Sequence, residues 1–195
     1  MKVFLDTVGC RLNQSEIENY ARQFRTAGHT LVAQMAEADL VVVNTCAVTA
    51  AAAADSRQKI RQAARQGNGQ VAVTGCWSTL FPNQAAALPG VMLVTPNLEK
   101  DYLVTQALDL PADYFDREML EREPIPGLRM RTRAFIKAQD GCDNHCTFCV
   151  TTLARGPGRS RSAAAVRQDV QAALHGGAQE IVLTGVHLGS WGQDF

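Results

Sequence analysis

Several features that would place this 195-residue chain in a special class are missing from it. No apolar run approaches the ~20 residues of a membrane-spanning helix, and an acidic residue at position 6 comes too early for the apolar region of a signal peptide. Basic and acidic residues cancel at 19 each, so the bulk charge indicates neither DNA nor a membrane as a partner. A hydrophobic content of 46% excludes a disordered chain. We therefore expect a globular cytoplasmic protein.

The charges are unevenly distributed along the chain. Between Arg117 and Arg167 the sequence has ten basic and five acidic residues, a local balance of +5 that leaves −5 for the remainder. A basic segment of this kind is typical either of contact with a polyanion or of a solvated face beside a linker. The sequence leaves both interpretations open.

Residues 1–110 alternate between the hydrophobic period of strands and that of helices. Four short apolar runs predict strands, at 3–5, 40–43, 71–73 and 92–94. The segments between these runs have apolar residues at helical spacing. An Asn13–Glu16 pair resembles a capping box at the start of the first helix. Further helices are predicted at 47–64 and 84–88, and Asn97 is the predicted cap of the helix that follows the fourth strand. This alternation predicts an α/β fold with an open parallel sheet and flanking helices.

A segment at 111–130, rich in proline and charge, divides the chain into two predicted domains. Residues 1–110 form the first domain. Residues 131–195 form one strand–loop–helix–strand unit, with strands expected at 134–138 and 181–183. One such unit cannot close a sheet or cover both of its faces, so we expect the second domain to be incomplete.

Six cysteines carry the functional signal, and cytoplasmic proteins rarely pair cysteines as disulfides. Cys142, Cys146 and Cys149 have C-x-x-x-C-x-x-C spacing, which can wrap one small metal centre. Zinc normally takes four ligands, and His145 could supply the fourth. A four-iron cluster held by three cysteines keeps one iron free to bind another molecule. The spacing favours the cluster, with zinc and structural thiols as alternatives.

The other three cysteines, Cys10, Cys46 and Cys76, each follow a predicted strand. The carboxyl ends of parallel strands lie at one edge of a sheet, where ligand sites form. These cysteines can therefore converge on a second three-cysteine cluster, and unconnected buried thiols are the alternative. Convergence depends on the strand order, because distant strands would keep the cysteines apart.

Together these motifs resemble the methylthiotransferase family of radical S-adenosylmethionine enzymes. Phe148 precedes the last cysteine of the C-x-x-x-C-x-x-C loop, and the first three cysteines occur as Gly-Cys, Asn-Thr-Cys and Thr-Gly-Cys, as in that family. The residues that follow Cys10, Arg-Leu-Asn-Gln-Ser-Glu, resemble the MtaB type, which acts on N6-threonylcarbamoyladenosine beside the tRNA anticodon. The types that modify isopentenyladenosine or a ribosomal-protein aspartate usually have other residues there.

The resemblance implies two [4Fe-4S] clusters and S-adenosylmethionine as cofactors. It assigns Cys142, Cys146 and Cys149 to the cluster that binds S-adenosylmethionine, and the other three cysteines, Cys10, Cys46 and Cys76, to an auxiliary cluster. It places Phe148 near the adenine of the cofactor, and Thr184 and Gly185 near its methionine amino group. Asn13 and Thr45 would line the auxiliary pocket. No catalytic acid or base is indicated.

The resemblance also implies three partners: the anticodon stem-loop of tRNA, an electron donor and a sulfur source. Arg155, Arg159 and Arg161 follow the cysteine loop and could contact tRNA phosphates, although local charge balance is the favoured interpretation. Family members have a fuller barrel and an RNA-binding TRAM domain, so we expect this chain to be truncated. The alternatives are the two sister activities and a non-catalytic iron–sulfur or zinc fragment.

Overall fold

The first part of the protein is a five-stranded parallel sheet, in a computed structural model that describes residues 1–115, 123, 125–126 and 132–195. The strands are β1 (Lys2–Thr7), β2 (Thr30–Leu31), β3 (Leu40–Thr45), β4 (Val71–Gly75) and β5 (Val91–Thr95), in the order β2-β1-β3-β4-β5. Four of them were predicted. The two-residue β2 was not, because so short a strand has no hydrophobic period. All of β3 is buried, as its apolar run predicts for a central strand.

Helices cover both faces of this sheet. They are α1 (Arg11–Thr26), α2 (Ala50–Gln66), α3 (Cys76–Leu80), α4 (Pro82–Ala86) and α5 (Leu103–Leu108). Val3 and Leu5 of β1 pack with α1 and α5 on one face, whereas Val41 and Val43 of β3 pack with α2 and α3 on the other. This two-sided burial confirms the predicted α/β class.

The second part contains the predicted strand–loop–helix–strand unit. Its elements are β6 (Arg133–Lys137), β7 (Gln139–Asp140), α6 (Val150–Arg155), β8 (Arg159–Ser160), α7 (Ala163–His175) and β9 (Glu180–Thr184). β6 and β9 pair in parallel, and α7 packs against them through Val166 and Ala173. The short strands β7 and β8 form an antiparallel pair that the sequence did not indicate.

Three helix predictions need correction. α2 begins at Ala50 because the Thr49 side chain accepts a hydrogen bond from the Ala52 amide (3.0 Å). The helix expected at 84–88 corresponds to α4, which begins and ends two residues earlier, and α3 was not predicted. Asn97 does not cap the last helix, which begins at Leu103 after a 3₁₀ turn.

The Asn13–Glu16 pair is not a capping box either. α1 begins at Arg11, with Cys10 at the N-cap position, and the Cys10 side chain accepts no hydrogen bond from the backbone amides of the first turn. The side chains of Asn13 and Glu16 are instead buried and form contacts with the second part of the chain. Tertiary contacts here override a local sequence pattern.

Most of the predicted linker at 111–130 lies outside the described residues, as do four arginines of the basic segment, at 117, 122, 129 and 131. The domain limits therefore stay predictions. No helix in the described part of the chain is both long enough and apolar enough to cross a membrane.

Candidate active site

The strand order brings the first three cysteines to one edge of the sheet. β3 lies between β1 and β4, with Asn44 opposite Thr7 on one side and Thr74 on the other. Cys10, Cys46 and Cys76 follow these three neighbouring strands at their carboxyl ends. The three strands that precede the cysteines are therefore neighbours, as convergence of the cysteines requires.

Two glycines allow close contact between the loops at this edge. Gly9 has φ 105°, and a Cβ placed there would lie 2.7 Å from Cys46 Sγ. Gly75 has φ 97°, and a Cβ there would overlap the Thr45 backbone. Any other residue would be strained at both positions and would push the neighbouring loop away.

Asn13 connects the loops that follow β1 and β3. Its Nδ2 donates hydrogen bonds to the carbonyl oxygens of Val8 (2.7 Å) and Thr45 (3.0 Å). Its Oδ1 lies 3.6 Å from Cys10 Sγ, which is placed as a donor to it. Thr45 in turn donates from Oγ1 to the carbonyl oxygen of Thr74 (2.6 Å). Both residues therefore lie beside the cysteine edge.

The environments of these thiols differ. Cys46 and Cys76 are each 4% exposed, whereas Cys10 is on the surface. Burial raises the pKa of the Cys76 thiol, and the positive charge of Arg155 together with hydrogen bonds from Asn97 and Arg155 acts in the opposite direction. The buried thiols are shielded from water on the sheet side.

The second cysteine set lies in the loop before α6. Cys142 is buried, Cys146 is exposed, and Cys149 occupies the position directly before the helix. Hydrogen bonds from the Thr152 backbone amide and hydroxyl lower the pKa of the Cys149 thiol, which favours the thiolate form that binds metals. Phe148, the predicted adenine neighbour, is 91% exposed.

The two residues predicted beside the methionine amino group lie at the end of β9. Thr184 is buried, and a Cβ at Gly185 would lie 3.0 Å from Gln139 Oε1. That oxygen accepts a hydrogen bond from the His187 amide (2.8 Å). The turn after β9 is thus fixed against the loop that leads to Cys142.

Four buried charged side chains, Glu16, Lys100, Asp140 and Arg155, join the two parts of the chain. We refer to them as the four-charge cluster. Lys100 Nζ contacts Glu16 Oε1 (2.5 Å) and also Asp140. Arg155 Nη1 contacts Glu16 Oε1 (3.1 Å) and Asp140 Oδ1 (2.9 Å). Two positive and two negative groups therefore alternate in an interior where an unpaired charge would be very costly.

The cluster keeps its carboxylates ionised. Burial alone would raise the pKa of Glu16, but Lys100 and Arg155 outweigh it and lower this pKa to about 2. The same two cations also lower the pKa of Asp140 against the effect of burial. Sequence reasoning missed this cluster because its members are up to 139 residues apart and no local pattern relates them.

The arginines that follow the second cysteine set lie near carboxylates, as the charge-balance interpretation requires. Arg155 is 1% exposed within the four-charge cluster. Arg161 pairs with Asp169 (2.5 Å), and Arg159 lies 3.8 Å from Asp140.

The cluster-ligand assignments themselves stay predictions. Among the described residues, no group of three or more His, Cys, Asp or Glu side chains is close enough to hold a metal ion. The structure does bring Cys10, Cys46 and Cys76 to one edge, and it places the other three cysteines in one loop.

Comparison with known proteins agrees with the resemblance seen in the sequence. Residues 2–95 match the family model described as "Uncharacterized protein family UPF0004". The chain is 36% identical to the threonylcarbamoyladenosine tRNA methylthiotransferase MtaB of Bacillus subtilis, over 98% of the chain and 45% of that protein. It is 34% identical to MtaB of Aquifex aeolicus, over 100% of the chain and 50% of that protein.

A second type of relative is also similar. The ribosomal protein uS12 methylthiotransferase RimO of Rhodopseudomonas palustris is 31% identical, over 99% of the chain and 44% of that protein. The chain thus spans about half the length of the curated relatives it matches.

A solved structure has the same fold. It is the radical S-adenosylmethionine methyltransferase TsrM of Kitasatospora setae, with a TM-score of 0.65 and 16% identity over 96% of this chain and 48% of that one. In sequence, the chain is therefore similar over nearly its whole length to methylthiotransferases of the MtaB and RimO types, and residues 2–95 match the UPF0004 family model.

Proposed function

We propose that this chain belongs to an enzyme that adds a methylthio group to C2 of N6-threonylcarbamoyladenosine beside the tRNA anticodon. The observation that carries the proposal is the pair of three-cysteine sets, one at the edge of the sheet and one in the loop before α6. The relatives named MtaB, at 36% and 34% identity, favour the tRNA nucleoside over other substrates.

The donor chemistry suits two [4Fe-4S] clusters. Cys142, Cys146 and Cys149 would hold the cluster that binds S-adenosylmethionine, and the three cysteines at the sheet edge would hold the auxiliary one. Three thiolates leave one iron of each cluster open, in contrast to the four ligands of an electron-relay ferredoxin. When bound, these groups supply one-electron cleavage of S-adenosylmethionine and a site for sulfur transfer, chemistry that side chains alone cannot perform.

The chain's own residues shield the auxiliary site, orient the cysteine loops and offer a contact for S-adenosylmethionine. Burial of Cys46 and Cys76 against the sheet keeps water from one side of the auxiliary site. Asn13 fixes the Cys10 loop relative to the Cys46 loop. The exposed ring of Phe148 is available to contact the adenine of S-adenosylmethionine.

We also propose a cytoplasmic location, since tRNA is modified there, and an electron donor and a sulfur source as further partners. The domain division at 1–110, 111–130 and 131–195 belongs to the same proposal. Arg155 and Arg161 pair with carboxylates, so they are not assigned to tRNA. Arg133 likewise pairs with Glu180 (2.7 Å).

Modification of the ribosomal protein uS12 is the second candidate, because relatives named RimO reach 31% identity. The deciding experiment expresses the protein that carries this chain in bacteria without their own MtaB and RimO. Mass spectrometry then measures the tRNA nucleosides and the mass of uS12, with Cys10→Ala and Cys142→Ala variants as matched controls.

We expect the 2-methylthio form of N6-threonylcarbamoyladenosine to accumulate in the parent and to be absent from both cysteine variants. A heavier uS12 with unmodified tRNA would overturn the proposal in favour of the second candidate. No modification of either molecule, with the protein present at normal level, would favour a non-catalytic role.

A further inference from the structure

The short helix α6 connects the two cysteine sets. It begins directly after Cys149 and ends with Ala154 and Arg155, a span of ~9 Å for a six-residue helix. α6 also packs against α3, which begins at Cys76. One end of the helix therefore carries a residue of the second cysteine set, and the other end lies against the first set.

Arg155 extends this connection towards Cys10. Its Nη2 donates a hydrogen bond to Asn13 Oδ1 (2.7 Å), the oxygen that lies 3.6 Å from Cys10 Sγ. Its Nη1 contacts the carboxylates of Glu16 and Asp140, which fixes the plane of the guanidinium group. A positive charge is thus held, without exposure to water, beside Cys76 and one side chain away from Cys10.

Asn97 makes the equivalent connection to Cys76. Its Nδ2 donates to the carbonyl oxygen of Ala154 (2.8 Å) and lies 3.7 Å from Cys76 Sγ. Asn97 is 1% exposed, and within the part of the chain that the structure describes its Oδ1 has no hydrogen-bond partner. The amide is therefore held through its nitrogen, between α6 and a cysteine thiol.

We propose that Arg155 and Asn97 are positioning residues that fix the sheet-edge cysteines relative to the S-adenosylmethionine loop and set the reduction potential of the auxiliary cluster. This inference rests on the proposed function, since it requires a cluster at Cys10, Cys46 and Cys76. A nearby positive charge and an N–H donor to a ligand sulfur both stabilise the reduced, more negative state of an iron–sulfur cluster. Arg155 is part of α6, the helix that follows Cys149, and Asn97 is hydrogen-bonded to the same helix.

A purely structural role makes a different prediction. If Arg155 only balances Glu16 and Asp140, its removal changes the free energy of unfolding and leaves the potential of the auxiliary cluster unchanged. If it tunes the cluster, Arg155→Gln makes the potential more negative, and Arg155→Lys, which keeps the charge, restores most of the parent value. The potential therefore separates the two roles.

The experiment uses the 195-residue chain with Cys142, Cys146 and Cys149 changed to Ala, so that the auxiliary cluster alone gives a signal. After anaerobic reconstitution, iron and sulfide are measured first, and a redox titration followed by electron paramagnetic resonance gives the midpoint potential. The variants are Arg155→Gln, Arg155→Lys and Asn97→Ala. Arg159→Gln is the matched control, since Arg159 is half-exposed and 3.8 Å from Asp140.

At the potential that half-reduces the parent, we expect the ratio of reduced to oxidised cluster to fall by roughly tenfold or more in Arg155→Gln. This is the effect of a unit charge within about 10 Å at an effective dielectric constant near 20. Asn97→Ala shifts the ratio in the same direction, whereas Arg155→Lys and Arg159→Gln stay within about threefold of the parent. If Arg155→Gln fails to fold, the midpoint potential of Asn97→Ala is the deciding measurement.

Unchanged potentials in Asn97→Ala and in any folded Arg155→Gln protein, with normal iron content, would overturn this inference and leave the proposed function standing. Absence of a cluster from the parent with the three Cys→Ala changes would instead contradict the auxiliary site itself, and both proposals would fail.

Discussion

Replacing Lys100 by Met should destabilise the protein more than any exposed charge substitution. The change preserves most of the side-chain volume but leaves the buried carboxylates of Glu16 and Asp140 with Arg155 as their remaining partner within the four-charge cluster. Removing one member of a buried ion pair typically costs ~3–5 kcal/mol, because the other charge stays buried without compensation.

The pKa of Glu16 gives a magnitude of the same order for its cationic neighbours together, among which Lys100 contributes most. Its lowering from 4.5 to about 2 corresponds to about 3 kcal/mol of stability at neutral pH. Since the folded-state pKa lies below the unfolded one, this contribution is present above pH ~4.5 and is lost as the pH falls towards 2. Lys100→Met should therefore cost less at pH 3 than at pH 7.

The assay is urea unfolding of the cluster-free protein at both pH values, followed by circular dichroism. Arg133→Met is the matched control: its ion pair with Glu180 is half-exposed on both sides, so its removal should cost no more than ~1 kcal/mol. The double variant Glu16→Gln/Lys100→Met restores neutrality and should be more stable than Lys100→Met alone. If Lys100→Met lost no more free energy of unfolding than the control, or lost the same amount at both pH values, Lys100 would not be compensating the buried carboxylates.

Two further predictions concern the cysteine sites. Gly9→Ala should lose iron from the sheet-edge site, because the new Cβ would meet Cys46 Sγ. Gly28 also has a positive φ but no neighbour within 4 Å, so Gly28→Ala should keep the iron and lower the free energy of unfolding by only about 1 kcal/mol. Thr152→Val should raise the pKa of Cys149 and slow alkylation of this thiol in the cluster-free protein at pH 7. Thr151→Val is the neighbouring control and should have a smaller effect. Equal alkylation rates in Thr152→Val and the parent would contradict the assigned hydrogen bond.

The sheet could be predicted from the sequence because its strands are short, separate apolar runs. The all-apolar run at 40–43 indicates a strand buried on both faces, and β3 has that position. The position of Cys10, Cys46 and Cys76 at one edge of the sheet followed from one property of parallel sheets, that their carboxyl ends share an edge. The adjacency of β1, β3 and β4 was the part that only the structure could supply.

The four-charge cluster could not be predicted in the same way. Glu16 lies in a spacing that resembles a capping box, and Lys100 is an ordinary lysine near a helix start. Their pairing across 84 residues depends on how α1 and the turn before α5 pack together. Asn97 was likewise assigned to a helix cap, because sequence patterns describe local contacts and its partners, Cys76 and Ala154, are distant in the chain.

Iron content shows whether the chain holds two three-cysteine clusters. The chain and its Cys142/Cys146/Cys149→Ala variant are reconstituted anaerobically, and iron and sulfide are measured per chain. We predict about eight irons in the parent and about four in the variant, as two four-iron clusters require. About four irons or fewer in the parent, unchanged by the three substitutions, would show that Cys142, Cys146 and Cys149 hold no cluster in this chain.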